Sequence, residues 1–168
     1  LECPTLLYSG FGDHNIQGIG DKHVPLIHNV MNNDVVTAVS DVATDSLGLL
    51  LNLPAGRSYL ASRRSVPALF LEQATSLGLS SLCNLLAAIK TAKYYGWGPD
   101  DVVVSVATDG AEMYESERRK ALDARFAGRF DEIAAAEVFG QHLLGCTTDH
   151  LVELRETDRH RIFNLGYY

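Results

Sequence analysis

Two glycine-bearing bends limit the fold of this chain more than any other feature. The first, Gly18-Ile19-Gly20, runs on through Asp21, Lys22 and His23 to Pro25. Two glycines one residue apart permit positive φ angles and let a flat ligand approach the backbone with no β-carbon between them. A tight strand-to-helix turn with no ligand accounts for the same residues. A dinucleotide fingerprint does not, because its pattern needs glycine where this chain has His23. The second bend, Gly78-Leu79-Ser80-Ser81, stands directly before Leu82, Leu85, Leu86 and Ile89. That helical spacing predicts a helix over 80–95 with a serine available as its cap. Lys90 and Lys93 in its closing turns and Gly96 beyond them suit a helix C-terminus. A hydroxyl is thereby placed at the positive end of a long, buried helix, where capping of backbone N–H groups is its plainest use.

Around these bends the chain alternates. Thr5 to Ser9 reads as a strand, and so does Asp34 to Ser40, where Val35, Val36 and Val39 supply β-branched residues. Ser40 then caps a helix whose Ala43, Leu47, Leu50 and Leu51 share a face. Pro54 and Pro67 divide 54–77 into two short helices joined by a bend. Asp101 to Ala107 is rich in valine, suited to a buried strand, and turns at Thr108-Asp109-Gly110 into Ala111-Glu112-Met113-Tyr114. An Asp-Gly signal of this kind also makes a simple turn. A polar helix over 111–126, another from Asp131 to Leu144 and a mixed-charge helical tail from Asp149 to Asn164 complete an α/β order.

Three of these segments match one family. His14-Asn15-Ile16-Gln17-Gly18-Ile19-Gly20 through Pro25 resembles the segment His-Lys-Ile-Gln-Gly-Ile-Gly-Ala-Gly-Phe-Ile-Pro of cysteine synthases, pyridoxal-phosphate enzymes of the tryptophan synthase β type. Gly78-Leu79-Ser80-Ser81 resembles their Gly-Ile-Ser-Ser turn, whose first serine bonds the pyridine nitrogen of the coenzyme. The valine run and its turn resemble their last core strand, which passes through a Pro-Asp/Ser-Ser-Gly turn into Glu-Arg-Tyr. The likeness covers residues 6–115 and is poorest over 54–77.

The resemblance implies an open, twisted, mostly parallel sheet flanked by helices. Residues 1–120 would be the C-terminal part of a catalytic domain, and 121–168 a helical extension packed on it. It implies pyridoxal 5'-phosphate as cofactor, with Gly18, Ile19 and Gly20 shaping the pocket beside the ring. Ser80 would bond the pyridine nitrogen, and Thr108 with Asp109 would close the remaining side. The family's Schiff-base lysine, Asn-containing substrate loop and glycine-rich phosphate loop precede these motifs, and none is present here. With Leu1-Glu2-Cys3 at its start and no initiator methionine, the chain is expected to be a fragment, inactive alone. The reaction implied is β-replacement or β-elimination on a small amino acid, as in cysteine synthesis or desulfhydration. A homodimeric parent in the cytoplasm is expected. Asp21, Lys22 and His23 stand where the family has Ala-Gly-Phe, and that difference leaves the substrate open. A non-catalytic homologue and a nucleotide-binding α/β domain are the competing readings.

The other residues exclude more than they propose. A net charge of −7 argues against nucleic acid, since phosphate neutralisation supplies most of that affinity. Arg118-Arg119-Lys120 sits among Glu115, Glu117 and Asp123 as a solvated helical face, with Glu115 and Arg119 spaced to pair. No apolar run is long enough to span a membrane. Cys3, Cys83 and Cys146 have neither metal nor redox spacing, and Cys83 reads as a small core residue. The histidines lack the i, i+4 pair around a Glu that marks a zinc helix. Lys22, Lys90, Lys93 and Lys120 are weak substitutes for the family's lysine, because surface and helix-end amines are solvated.

Overall fold

A computed structural model describes residues 1–16, 19, 24, 25 and 27–165. The architecture is mostly helical and holds one small sheet. Strand β1 (Val35–Thr37) pairs antiparallel with β2 (Leu151–Glu153), with Val36 opposite Val152. This replaces the open, mostly parallel sheet that the sequence implied, although helices and strands do coexist. The tail is likewise not one helix. His150 takes a left-handed φ of 54°, β2 follows, and a helix begins only at Glu156. Leu151 and Val152 find a ladder partner in β1, and that pairing outcompetes helix continuation across 149–153.

The expected strand from Thr5 to Ser9 is also a helix, α1 (Thr5–Tyr8), closed by Ser9 at φ 57°. Although it packs beside β1, it forms no ladder with it, and its backbone groups are satisfied locally, Tyr8 N–H donating to Pro4 O and Ser9 N–H to Thr5 O. The valine run at 101–107 departs furthest from expectation. It forms no strand, and Val102 and Val104 are 84% and 90% exposed. β propensity is a fit to a pleated, half-buried surface made by neighbours, and the described residues offer this run none.

The helices follow their local signals. Helix α2 (Asp41–Asn52) is capped by Ser40, whose Oγ accepts from Val42 N–H at 3.1 Å. Leu53 breaks the geometry and Pro54 opens α3 (Pro54–Arg64), where its missing N–H is no loss. The two helices cross at backbone contact: a β-carbon on Gly56 would lie 2.1 Å from the Leu50 carbonyl oxygen. Helix α4 (Ala68–Gln73) follows Pro67. Helix α5 (Leu79–Tyr95) ends at Gly96, φ 67°, whose N–H returns to the Ala92 and Lys93 carbonyls. A short 3-10 turn over Ala111–Tyr114 leads into α6 (Glu115–Phe126). Helix α7 (Glu132–Phe139) is capped by Asp131 and widens into a π turn over Gly140–Leu144. Helix α8 (Glu156–Leu165) closes the described chain.

Leu47, Leu50 and Leu51 of α2 pack with Tyr59 and Leu60 of α3, Leu82 and Leu86 of α5, and Ala135 and Val138 of α7. Burying each leucine contributes roughly 1.5–3 kcal/mol. A second cluster joins Leu7, Val24, Val30 and Val36 to Leu154 and Ile162. Residues on both sides of position 120 therefore build both clusters. Together they fix the start of α5 beside the end of β1, which is where the candidate site lies.

Candidate functional site

A third, smaller cluster brings the sequence motifs together. Ile16, Leu79, Cys83 and Tyr114 are buried against one another, with Ile19 and Val39 packed on them. Ile19 comes from the first bend, Leu79 and Cys83 from the tip of α5, and Tyr114 from the turn after the valine run.

The two later segments are joined by close contact. Gly78 N–H donates to the Asp109 carbonyl at 2.8 Å. A β-carbon on Gly78 would lie 2.6 Å from that oxygen and 2.6 Å from a ring carbon of Tyr114, so only glycine fits. The Tyr114 hydroxyl donates to the Asp109 carboxylate at 3.3 Å. Ser81 Oγ accepts from Thr108 N–H at 3.1 Å. The cap of α5 is therefore Gly78, with no side-chain bond, and not a serine as the sequence suggested. Ser80 and Ser81 stand inside the first turn, and the Ser81 hydroxyl ties the helix tip to the 108–110 turn instead.

Ser80 keeps its expected place at the positive end of α5 but is only 2% exposed. Thr108 and Asp109 are exposed, and Ile19 is half-buried. Gly18, Gly20, Lys22 and His23 lie outside the described residues.

A cavity of about 150 Å³ opens beside this cluster, lined among others by His14, Ile16, Ile19, Val39, Asp41 and Cys83. Ser80 does not line it, and neither does any described lysine or arginine. Glu2 and Asp41 put two carboxylates on its wall, which does not suit a phosphate. Cys83 is no nucleophile there, because burial, with the Asp41 charge behind it, pushes its thiol up to about 11.

Beside the cavity is a feature the sequence reading passed over. Asp41 and Asp45 stand one turn apart on α2, both buried. Asn15 N–H donates to Asp41 Oδ2 at 2.6 Å, and Asn15 Nδ2 donates to Asp45 Oδ2 at 3.0 Å. Arg125 of α6 approaches the same Asp45 oxygen at 3.7 Å, while Asp45 Oδ1 has no hydrogen-bond partner. Burial pushes the Asp45 carboxyl up to about 6; the Asp41 charge adds to the rise, and the Asn15 bond and Arg125 oppose it. Burial also raises Asp41, and the Glu2 charge contributes. The signal available in the sequence was the Asp-x-x-x-Asp spacing at the head of an apolar helix, since unpartnered like charges at i, i+4 are destabilising.

Lys90 is buried, at 7% exposure, contrary to the expectation of a solvated helix-end amine. Its Nζ donates to Ala38 O at 3.2 Å and to Asp149 Oδ1 at 3.4 Å, joining the end of β1 to the turn before β2. Lys93 Nζ donates to Cys146 O at 2.6 Å. Lys120 pairs with Glu117 at 3.0 Å, and Arg119 with Glu115 at 3.7 Å, the pair its spacing predicted. Among the described residues no group of His, Cys, Asp and Glu is placed to hold a metal, and no helix is long and apolar enough to cross a membrane.

No protein-family model matches the chain, and no curated protein or solved structure matches it either.

Proposed function

We propose that this chain supplies one side of the coenzyme site of a pyridoxal-phosphate enzyme acting at the β-carbon of a small amino acid. The observation carrying this reading is the packing of Ile19, of Leu79 and Cys83 at the tip of α5, and of Tyr114 after the 108–110 turn in one cluster, with Ser81 bonded to Thr108; Ile19 and Cys83 also line the adjoining cavity, while Ser80, Thr108 and Asp109 do not. These segments are far apart in sequence, and they are the three whose residues resemble cysteine synthase.

Bound there, the coenzyme would supply the electron sink that makes the substrate's β-substituent a leaving group. The chain's own part is to bind and orient. Gly18, Ile19 and Gly20 would bound one face of the ring. Ser80 would offer the pyridine nitrogen an uncharged hydroxyl at the positive end of α5. With no carboxylate assigned to that nitrogen and the helix dipole disfavouring a cation beside it, it would stay neutral. A weaker electron sink would favour β-elimination and β-replacement. Thr108 and Asp109 would close the remaining side. Ser80 is closed to solvent, so this reading requires the surface over it to open when the coenzyme binds.

The lysine that binds the coenzyme and the loop that holds its phosphate come from elsewhere in a larger catalytic unit, and this accords with a cavity that no described lysine or arginine lines. A cytoplasmic homodimer completes the proposal. A non-catalytic homologue is the second reading, favoured by the same lack of a lining lysine.

The test is a substrate panel on the full-length enzyme, with detection of sulfide, pyruvate and ammonia. Sulfide and pyruvate from cysteine, or sulfide consumed with an activated serine, are the expected results. No turnover of any amino acid, with no uptake of pyridoxal phosphate, would leave the non-catalytic reading.

A further inference from the structure

We propose that the cavity between the start of α2, the middle of α5 and the π turn after α7 binds a free α-amino acid with a small apolar side chain, held as a zwitterion by Lys90 and Asp149. The cavity measures about 320 Å³, at the small end of the roughly 300–1,000 Å³ of ligand sites. It lies apart from the cavity beside Cys83, and of their described lining residues the two share only Ala38 and Val39. The inference therefore does not depend on the coenzyme reading.

Lys90 is buried in the wall of this cavity. An ammonium has three N–H donors. Two go to Ala38 O at 3.2 Å and Asp149 Oδ1 at 3.4 Å, and the third has no partner among the described residues. Asp149 lies at the mouth with its side chain more than half exposed. The Thr147 hydroxyl, with the Lys90 charge, holds its carboxyl below the usual carboxylate range. Thr147 and Lys90 both meet Oδ1, which leaves Oδ2 with only His150 Nε2 near it, at 3.6 Å. Burial, with the Arg125 charge behind it, lowers His142 in the same wall, so that ring adds no charge at neutral pH.

These charges select the ligand. A simple anion would meet Lys90 but be repelled by Asp149, and a cation would be repelled by Lys90. A wholly apolar ligand would strip water from the spare N–H and return nothing. An α-amino acid carries both signs on one carbon, so its carboxylate accepts from Lys90 while its ammonium donates to Asp149 Oδ2. Val39, Val42, Ala43 and Leu86 supply an apolar wall for its side chain. Two backbone departures frame the cavity: the π turn, closed by Gly145 N–H on Gly140 O at 2.8 Å, and His150 in its left-handed conformation. Such departures recur at ligand sites.

Titration of the chain with L-valine and L-leucine, followed in proton–nitrogen correlation spectra, tests the site. Saturable shifts should centre on the amides of Val39, Lys90, Cys146 and Asp149 and stay small at Ser80 and Tyr114. Isocaproate, which is leucine without its ammonium, and isoamylamine, which is leucine without its carboxylate, should each bind about tenfold more weakly than leucine. Asp149→Asn should weaken leucine about tenfold and bind isocaproate no more weakly than wild type. Lys90→Met should weaken leucine likewise and spare isoamylamine. Should Lys90→Met not fold, Asp149→Asn, at an exposed position, decides alone. The absence of saturable shifts with either amino acid overturns the proposal, as do shifts centred elsewhere. Equal affinities for leucine and isocaproate, or an equal loss of both in Asp149→Asn, overturn it too, because the carboxylate then recognises no ammonium.

Discussion

Helix α2 and the run at 101–107 are both apolar, yet one is buried and the other lies open. Leu47, Leu49 and Leu50 are fully enclosed, while Val102 and Val104 face solvent. A helix satisfies its backbone N–H and C=O groups within itself, so an amphipathic sequence needs only a surface to pack on. A strand needs a second strand at hydrogen-bonding distance before its side chains have anything to bury against. The chain supplies surfaces for α2 in α3, α5 and α7. For the valine run it supplies two anchoring bonds at one end, from Asn84 Nδ2 to Val106 O and from Thr108 N–H to Ser81 Oγ.

Truncation tests this contrast most strongly. Leu50→Ala should lower the unfolding free energy by about 2–5 kcal/mol, whereas Val104→Ala should change it by less than about 0.5 kcal/mol. Urea titration of the two variants measures both. A loss at Val104 comparable to that at Leu50 would mean that the valine run is paired in solution.

The buried acids of α2 sharpen the comparison, because they show what the same helix sacrifices. Asp45 has a folded pKa of about 6, above its ordinary 3.8. Between these values the folded state binds more protons than the unfolded one, so this group's contribution falls as pH rises from about 4 to about 6 and is constant above that. The loss is on the order of 3 kcal/mol, with the opposing Asn15 bond and Arg125 charge already contained in the shift. Asp45→Asn should therefore flatten the stability profile between pH 4 and 6 and make the chain more stable than wild type at pH 7.5. Denaturant midpoints measured at pH 4, 6 and 7.5 decide it. A variant less stable at pH 7.5, with the slope retained, would show that the acid is not buried as described.

The legible parts of the sequence were those whose physics is local. Ser40 before an apolar helical face, Pro54 and Pro67 as breaks, Gly96 after α5, and the Glu115 and Arg119 pair all follow from neighbours within a few residues. The strand at Val35 was legible as a strand, but its partner was not, because Leu151–Glu153 lies in a stretch dense with charges. Thr5 to Tyr8 is too short for periodicity to separate strand from helix. At the site, the Gly78 turn and the Asp109 turn were each readable as motifs, but the docking of one on the other was not. The exchange of roles between Gly78 and the serines was not, since it depends on Thr108, 27 residues from Ser81. The Asn15 bonds to Asp41 and Asp45 escaped for the same reason: no spacing rule links an asparagine in a loop to two acids on a later helix.

The central claim is that an uncharged hydroxyl at the tip of α5 meets the coenzyme ring. Its most direct test is the nitrogen-15 resonance of ring-labelled pyridoxal phosphate in the full-length enzyme, recorded with and without Ser80→Ala. The account predicts the shift of a neutral, hydrogen-bonded pyridine nitrogen in the wild type and a displaced shift in the variant. A protonated nitrogen, or a resonance indifferent to Ser80→Ala, would contradict it.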